Sequence, residues 1–106
     1  MTWYEKVVAA HTAVTDAVSH GKRLQSERYF VWNETNRDDF GADNRHAEKC
    51  QRGTTHLFTK IELDPWKDAF ERSLDQYGIV WSLNWAEFEE DTGFWHFEWR
   101  WGVRYA

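Results

Sequence analysis

Near the C-terminus two arms of strict alternation lie close together. Ile79, Trp81, Leu83 and Trp85 alternate with Val80, Ser82, Asn84 and Ala86. After a short polar stretch, Trp95, Phe97, Trp99, Trp101 and Val103 alternate with His96, Glu98, Arg100 and Gly102. Successive side chains of a strand point to opposite faces, so each arm has an apolar side made of odd-numbered residues, and the pair predicts a β-hairpin. If all the odd-numbered rings share one face, odd must pair with odd, and the loop must hold an odd number of residues. Asp91-Thr92-Gly93 supplies a three-residue loop with Gly93 in the left-handed slot of a G1 bulge. That register sets Trp85 opposite Trp99 and Leu83 opposite Trp101. On the reverse face it pairs Asn84 with Arg100, Ala86 with Glu98 and Phe88 with His96. A two- or four-residue loop would turn one arm's rings into water.

An apolar sheet face needs cover, and two helices are available. Thr2 and Glu5 have capping-box spacing, and apolar residues follow at Trp3, Tyr4, Val7, Val8, Val14 and Val18 on one helical face. His20-Gly21 reads as the stop. The second helix has Asp64 as N-cap and Pro65 in the first turn. Its apolar face is Trp66, Ala69, Phe70, Leu74 and Tyr77, with Asp68 and Arg72 as an i,i+4 pair and Gly78 closing it. Between the helices, 28–34 reads as a strand buried on both sides and 35–43 as a polar connection. Residues 55–61 read as a strand, 45–52 as strand or short helix, and Gly53 as a possible site of a bulge. The expected fold class is α+β: a small, mostly antiparallel sheet with a C-terminal hairpin, packed against two helices at about 2–20 and 64–77.

Composition narrows the function. The 106 residues fit one domain. Aromatics make up 18% of them, including 8 tryptophans, so the core is built from large flat rings. A net charge of −5 argues against binding a phosphate backbone, which draws on clustered Lys and Arg, and here the densest basic set is the pair Lys22-Arg23. No apolar run approaches the roughly 20 residues of a membrane span, and the N-terminus does not read as a secretion signal. A single cysteine, Cys50, allows no internal disulfide. This fits a reducing compartment or a virion assembled inside a cell.

Several groups invite a chemical reading. His46, Glu48, Cys50 and His56 match no established zinc spacing, and solvated polar residues are the simpler account. Glu87, Glu89, Glu90 and Asp91 crowd the hairpin tip, but paired carboxylates need desolvation for acid–base work and a tip is wet. No nucleophile elbow or phosphate loop is present. Neither a catalytic residue nor a cofactor is expected. Aromatic strand faces also stack on sugars, which leaves a small carbohydrate- or ligand-binding module as the alternative. Exposed edges of a small open sheet point instead toward assembly.

The segment ADNRHAEKCQRGTTHLFTK, the DPW helix start and WSLNWAEFEEDTGFWHFEWRWGV together resemble the tail terminator and tail completion (head–tail joining) proteins of long-tailed bacteriophages. The likeness runs from about Ala42 to Val103. It implies a structural, non-enzymatic virion subunit, made in the host cytoplasm, that forms a hexameric ring with itself. The ring would cap the head-proximal end of the tail tube and meet both the tail tube protein and the head–tail connector. DNA would pass through an acidic lumen without being held, and no membrane is involved. Expected contact residues are Asp38, Asp39, Arg45 and Arg52 in the central polar region, with Glu87, Glu89, Glu90 and Asp91 at the tip.

Overall fold

The structure, a computed structural model, describes residues 1–35 and 50–105. Helix α1 (Trp3–Thr12) is followed by strands β1 (Val18–His20), β2 (Arg28–Thr35) and β3 (Cys50–Thr59), helix α2 (Trp66–Gln76), and strands β4 (Val80–Glu89) and β5 (Phe94–Arg104). The strands form one sheet in the order β1-β2-β3-β5-β4. Every pairing is antiparallel except β1 with β2. Both helices cover the same face, so the α+β class with a helix-backed sheet and C-terminal hairpin holds.

The first helix is shorter than its periodicity predicts. Its start is as expected: Thr2 Oγ1 accepts from the Glu5 N–H at 3.0 Å, and the Glu5 carboxylate accepts from the Thr2 N–H at 2.9 Å. The helix nevertheless stops at Thr12 rather than near residue 20. The Thr15 hydroxyl accepts from the Ala17 N–H, bending the chain, and Val18–His20 becomes an edge strand parallel to β2. A β-branched residue and a place beside β2 outweigh a weak helical preference there. Gly21, at φ +86°, therefore turns the chain out of a strand rather than out of a helix.

The second helix follows its sequence signals closely. Asp64 Oδ1 accepts from the Trp66 N–H at 2.9 Å. At the other end the Gly78 N–H donates to Asp75 O and the Ile79 N–H to Leu74 O, with Gly78 at φ +70°. These are the two bonds of a Schellman cap, and Leu74 and Ile79 both join the core. The Asp68–Arg72 pair does not form; Lys67 instead approaches Asp68 at 3.4 Å and Glu71 at 3.2 Å.

Between sheet and helices lie Val7, Ala10, Phe30, Trp32, Leu57, Phe70, Leu74, Ile79, Trp99, Trp101 and Val103. The rings keep their polar atoms bonded. Trp99 Nε1 donates to Glu71, Trp101 Nε1 to Thr55 and Trp81 Nε1 to Asp75. His11, fully buried, donates from Nδ1 to Val7 O at 2.7 Å, which leaves Nε2 to accept from the Thr55 hydroxyl at 2.9 Å. That pairing fixes a neutral imidazole, and burial lowers its pKa to about 4. Gly53 is not a bulge, since its register runs unbroken between Glu34 on β2 and Trp101 on β5. It is instead a place of close approach: a Cβ there would stand 2.3 Å from the Trp101 ring.

The opposite face carries a second, smaller cluster of Tyr29, Val31 and Phe58, so β2 is buried on both sides as its sequence implies. The connection after β1 returns across this face and lays the Arg23 guanidinium 4.1 Å over the Phe58 ring.

The hairpin departs from its expected register. Its loop holds four residues, Glu90–Gly93, because Glu89 pairs with Phe94. Gly93, at φ +78°, does take the left-handed position. Near the tip Trp85 opposes Glu98, Ala86 opposes Phe97, Glu87 opposes His96 and Phe88 opposes Trp95. The ladder then shifts between Leu83 and Trp85, and below that point Leu83 opposes Trp99 and Trp81 opposes Trp101. Asn84 is the extra residue of a β-bulge. One inserted residue restores the parity that a four-residue loop would otherwise break. The expected pairs of Trp85 with Trp99 and Leu83 with Trp101 do not form, and Trp85 is turned to the face away from the helices.

Candidate functional site

Two features follow from the bulge. The first is the outer edge of the sheet. Among the described residues, strand β4 pairs only with β5 and nothing pairs with its other side. Along it Val80 is 77% exposed, Leu83 37%, Trp85 37% and Phe88 45%, which is high for apolar residues in a long strand. The bulge and the carboxylates of Glu87 and Glu89 protect the half nearest the tip, as charges and bulges do on natural edges. The other half, Val80–Leu83, carries neither charge nor proline. At the far edge of the sheet lies β1, much shorter and of different sequence.

The second feature is a polar cluster on the face away from the helices. Above the bulge, odd-numbered residues of β4 share this face with even-numbered residues of β5, so Glu87 and Glu89 meet His96. The His96 Nδ1–H donates to Glu89 Oε2 at 2.8 Å, and the Thr92 hydroxyl donates to Glu89 Oε1 at 2.9 Å. Burial pushes the Glu89 carboxyl up, but these two bonds outweigh it and hold the group below the usual carboxylate range. On the other side of the ring, His96 Nε2 lies 2.8 Å from His56 Nδ1. His56 Nε2 faces Glu98 Oε1 at 3.6 Å, and Glu98 also accepts from the Asn84 side chain. Burial lowers the His56 pKa, assisted by the neighbouring His96 and Arg23 and opposed by Glu98. The result is a row, Glu89–His96–His56–Glu98, hydrogen-bonded from Glu89 through to His56 with Glu98 in a longer ionic contact, and walled by Phe58 at 4.1 Å and Trp85 at 4.6 Å from the His96 ring centre.

Of the residues expected to make contacts, Asp38, Asp39 and Arg45 lie outside the described residues, as do His46 and Glu48. Arg52 is half-buried on β3 opposite Gly102, at the end of the strand away from the tip. The structure therefore does not bring it together with the acidic group. Glu87 and Glu89 come together on one face, whereas Glu90 and Asp91 lie in the loop, along a groove of about 420 Å³ that also touches Arg23. Glu87, Glu89 and His96 place one ligand-type atom each within 4.8 Å of one another. His56, His96, Glu98 and Trp85 went unrecognised in the sequence as members of one site. Alternation put His96 and Glu98 on a common face, but a register one residue off paired His96 with Phe88 instead of Glu87. The adjacency of β3 to β5 has no local signal.

Among the described residues no helix is long and apolar enough to cross a membrane. Compared with known proteins, the chain matches no family model and no curated protein.

Proposed function

We propose that this protein is a structural, non-catalytic subunit that assembles through its sheet edges into a ring, as a tail terminator or tail completion protein of a long-tailed bacteriophage. The observation that carries the reading is the uncharged Val80–Leu83 half of β4, which no other described strand pairs on its outer side and where Val80 is 77% exposed. Such an edge is a template for strand addition. Because the two outer strands of the sheet differ, the favoured contact is head to tail, the kind that closes into rings. The sequence resemblance supplies the setting: a hexamer at the head-proximal end of the tail tube, touching tube protein on one side and the connector on the other. A net charge of −5 suits a lumen through which DNA slides.

The sugar-binding alternative is less well supported. Stacking on a sugar calls for rings side by side on one face, and here Trp85 and Phe88 point to opposite faces of β4.

The test is the mass of the purified protein in solution, alone and mixed with tail tube protein. The reading expects a hexamer in one of the two conditions, and Leu83→Lys, which charges the open edge, should return it to monomer. A monomer under both conditions removes the reading.

A further inference from the structure

We infer that the Glu87–Glu89–His96 cluster is a binding site for a divalent first-row transition ion, of which Zn2+ is the representative, with His56 and Glu98 supporting it from behind. One imidazole nitrogen and two carboxylate oxygens are a ligand set that such ions accept, with a further position left for water.

The geometry supports this in three ways. First, the donors come from adjacent strands in direct register, Glu87 opposite His96 and Glu89 two residues along, so the backbone fixes their spacing. Their ligand atoms lie within 4.8 Å of one another, whereas ligands bonded at about 2.0 Å to a tetrahedral ion stand roughly 3.3 Å apart. Reaching that spacing takes a swing of Glu87, the exposed member, and a slight opening of the 2.8 Å His96–Glu89 bond, whose hydrogen the ion displaces. Second, His96 is buried between Phe58 and Trp85, so its ring is held in place before an ion arrives. Third, the ring's other nitrogen already has a partner. Metal-bound imidazoles usually donate their second N–H to a carboxylate or carbonyl that orients them. Here His56 stands in that position and passes the bond on toward Glu98.

The protons balance without any being gained or lost. Without an ion, His96 carries its hydrogen on Nδ1, facing Glu89, and His56 carries its own on Nδ1, facing His96. An ion on His96 Nδ1 moves that ring's hydrogen to Nε2, from which it donates to His56 Nδ1. His56 then carries its hydrogen on Nε2, aimed at Glu98. Binding therefore flips both rings to the other neutral tautomer. Among the described residues two cations stand near this group, Arg23 and Lys60, whose ammonium bonds the Thr92 carbonyl, against the five carboxylates of Glu87, Glu89, Glu90, Asp91 and Glu98, so the local field still favours a cation.

This inference does not depend on the ring reading, and its test is separate. Zn2+ is titrated calorimetrically into the full-length protein at pH 7.5, with imidazole 15N shifts recorded alongside. One ion per chain should bind, and both His56 and His96 should change tautomer. Glu87→Gln, a change at the exposed rim, should abolish saturable binding while the remaining amide spectrum stays folded. His56→Phe should weaken binding about 10- to 100-fold, as loss of an orienting partner does. Cys50→Ser should leave binding unchanged. The inference is overturned by an absence of saturable binding, by binding that Glu87→Gln leaves intact, or by binding that Cys50→Ser removes.

Discussion

The two halves of the C-terminal hairpin differ although their sequences alternate alike. Below the bulge, Trp99, Trp101 and Val103 are buried under both helices, with Trp81 packed at the margin. Above it, the same strands carry Trp85 on the opposite face, beside two histidines and three carboxylates. Nothing in residue type separates Trp85 from Trp81, since both occupy odd positions in one alternating run. The difference is phase: Asn84 is one residue too many for the ladder, and each residue beyond it changes sides relative to β5. Alternation is a local property, whereas the face it selects depends on every insertion between a residue and its partner.

The contrast can be tested by treating the two halves alike. Trp99→Ala removes a fully buried ring and should cost about 3–5 kcal/mol in urea unfolding. Trp85→Ala, at a ring that is 37% exposed, should cost less, about 2 kcal/mol, because less apolar area leaves water there. Comparable losses would mean that the two rings are equally buried and that the bulge does not divide the hairpin.

Acid probes the body from a second direction. His11 is neutral in the fold with a pKa of about 4, against about 6.5 when unfolded. Between those values the unfolded chain binds the extra proton, so stability is fully present above about pH 6.5 and is lost as pH falls toward 4. At 1.36 kcal/mol per pH unit the loss amounts to about 3 kcal/mol. Denaturant unfolding at pH 7.5 and 4.5 measures it, and His11→Gln should flatten the dependence. His56 works in the same direction, as do the carboxyls of Glu34, Asp64 and Glu89, all held below the usual range, so the variant should keep a shallower slope of the same sign.

Gly53→Ala tests the close approach that holds Trp101 over β3. A methyl group 2.3 Å from the indole should cost about 1–3 kcal/mol through overpacking. The same methyl would stand 2.6 Å from the Asn33 carbonyl oxygen, so a neutral result would show that both the ring and the β2 backbone can move aside.

The smallest expected effect is the most discriminating. Deleting Asn84 leaves Leu83 against Trp99 and Trp85 against Glu98 in one unbroken ladder, so stability should change by less than about 1 kcal/mol. If loss of Asn84 unfolds the protein, the bulge is not a single dispensable residue.

Much of this architecture was legible locally. The Thr2–Glu5 box, the Asp64 carboxylate that accepts from Trp66 just ahead of the Pro65 N-cap, and the Gly78 stop of α2 all rest on interactions between residues close in sequence, and the apolar runs of β2 and the C-terminal arms are read from spacing alone. The misreadings share a cause. The spacing predicts one helix to about residue 20 because helical and strand periodicities are hard to tell apart over a few residues, and β2, running alongside, decides in favour of a strand. Gly53 looked like a bulge because the indole that needs its missing Cβ lies on another strand. The Glu89–His96–His56–Glu98 chain was invisible because it spans three strands.

By itself, then, the sequence determined which segments have an apolar side and where the helices are capped, since those depend on spacing along the chain. It also determined that the protein is acidic and rich in rings. Tertiary structure alone decided which side of the sheet each ring would occupy. It also set two imidazoles nose to nose between carboxylates and, among the described residues, left β4 paired on one side only. The physical reason is that the phase of a strand is fixed by the hydrogen-bonded neighbour it is read against, and that neighbour is chosen by the fold as a whole.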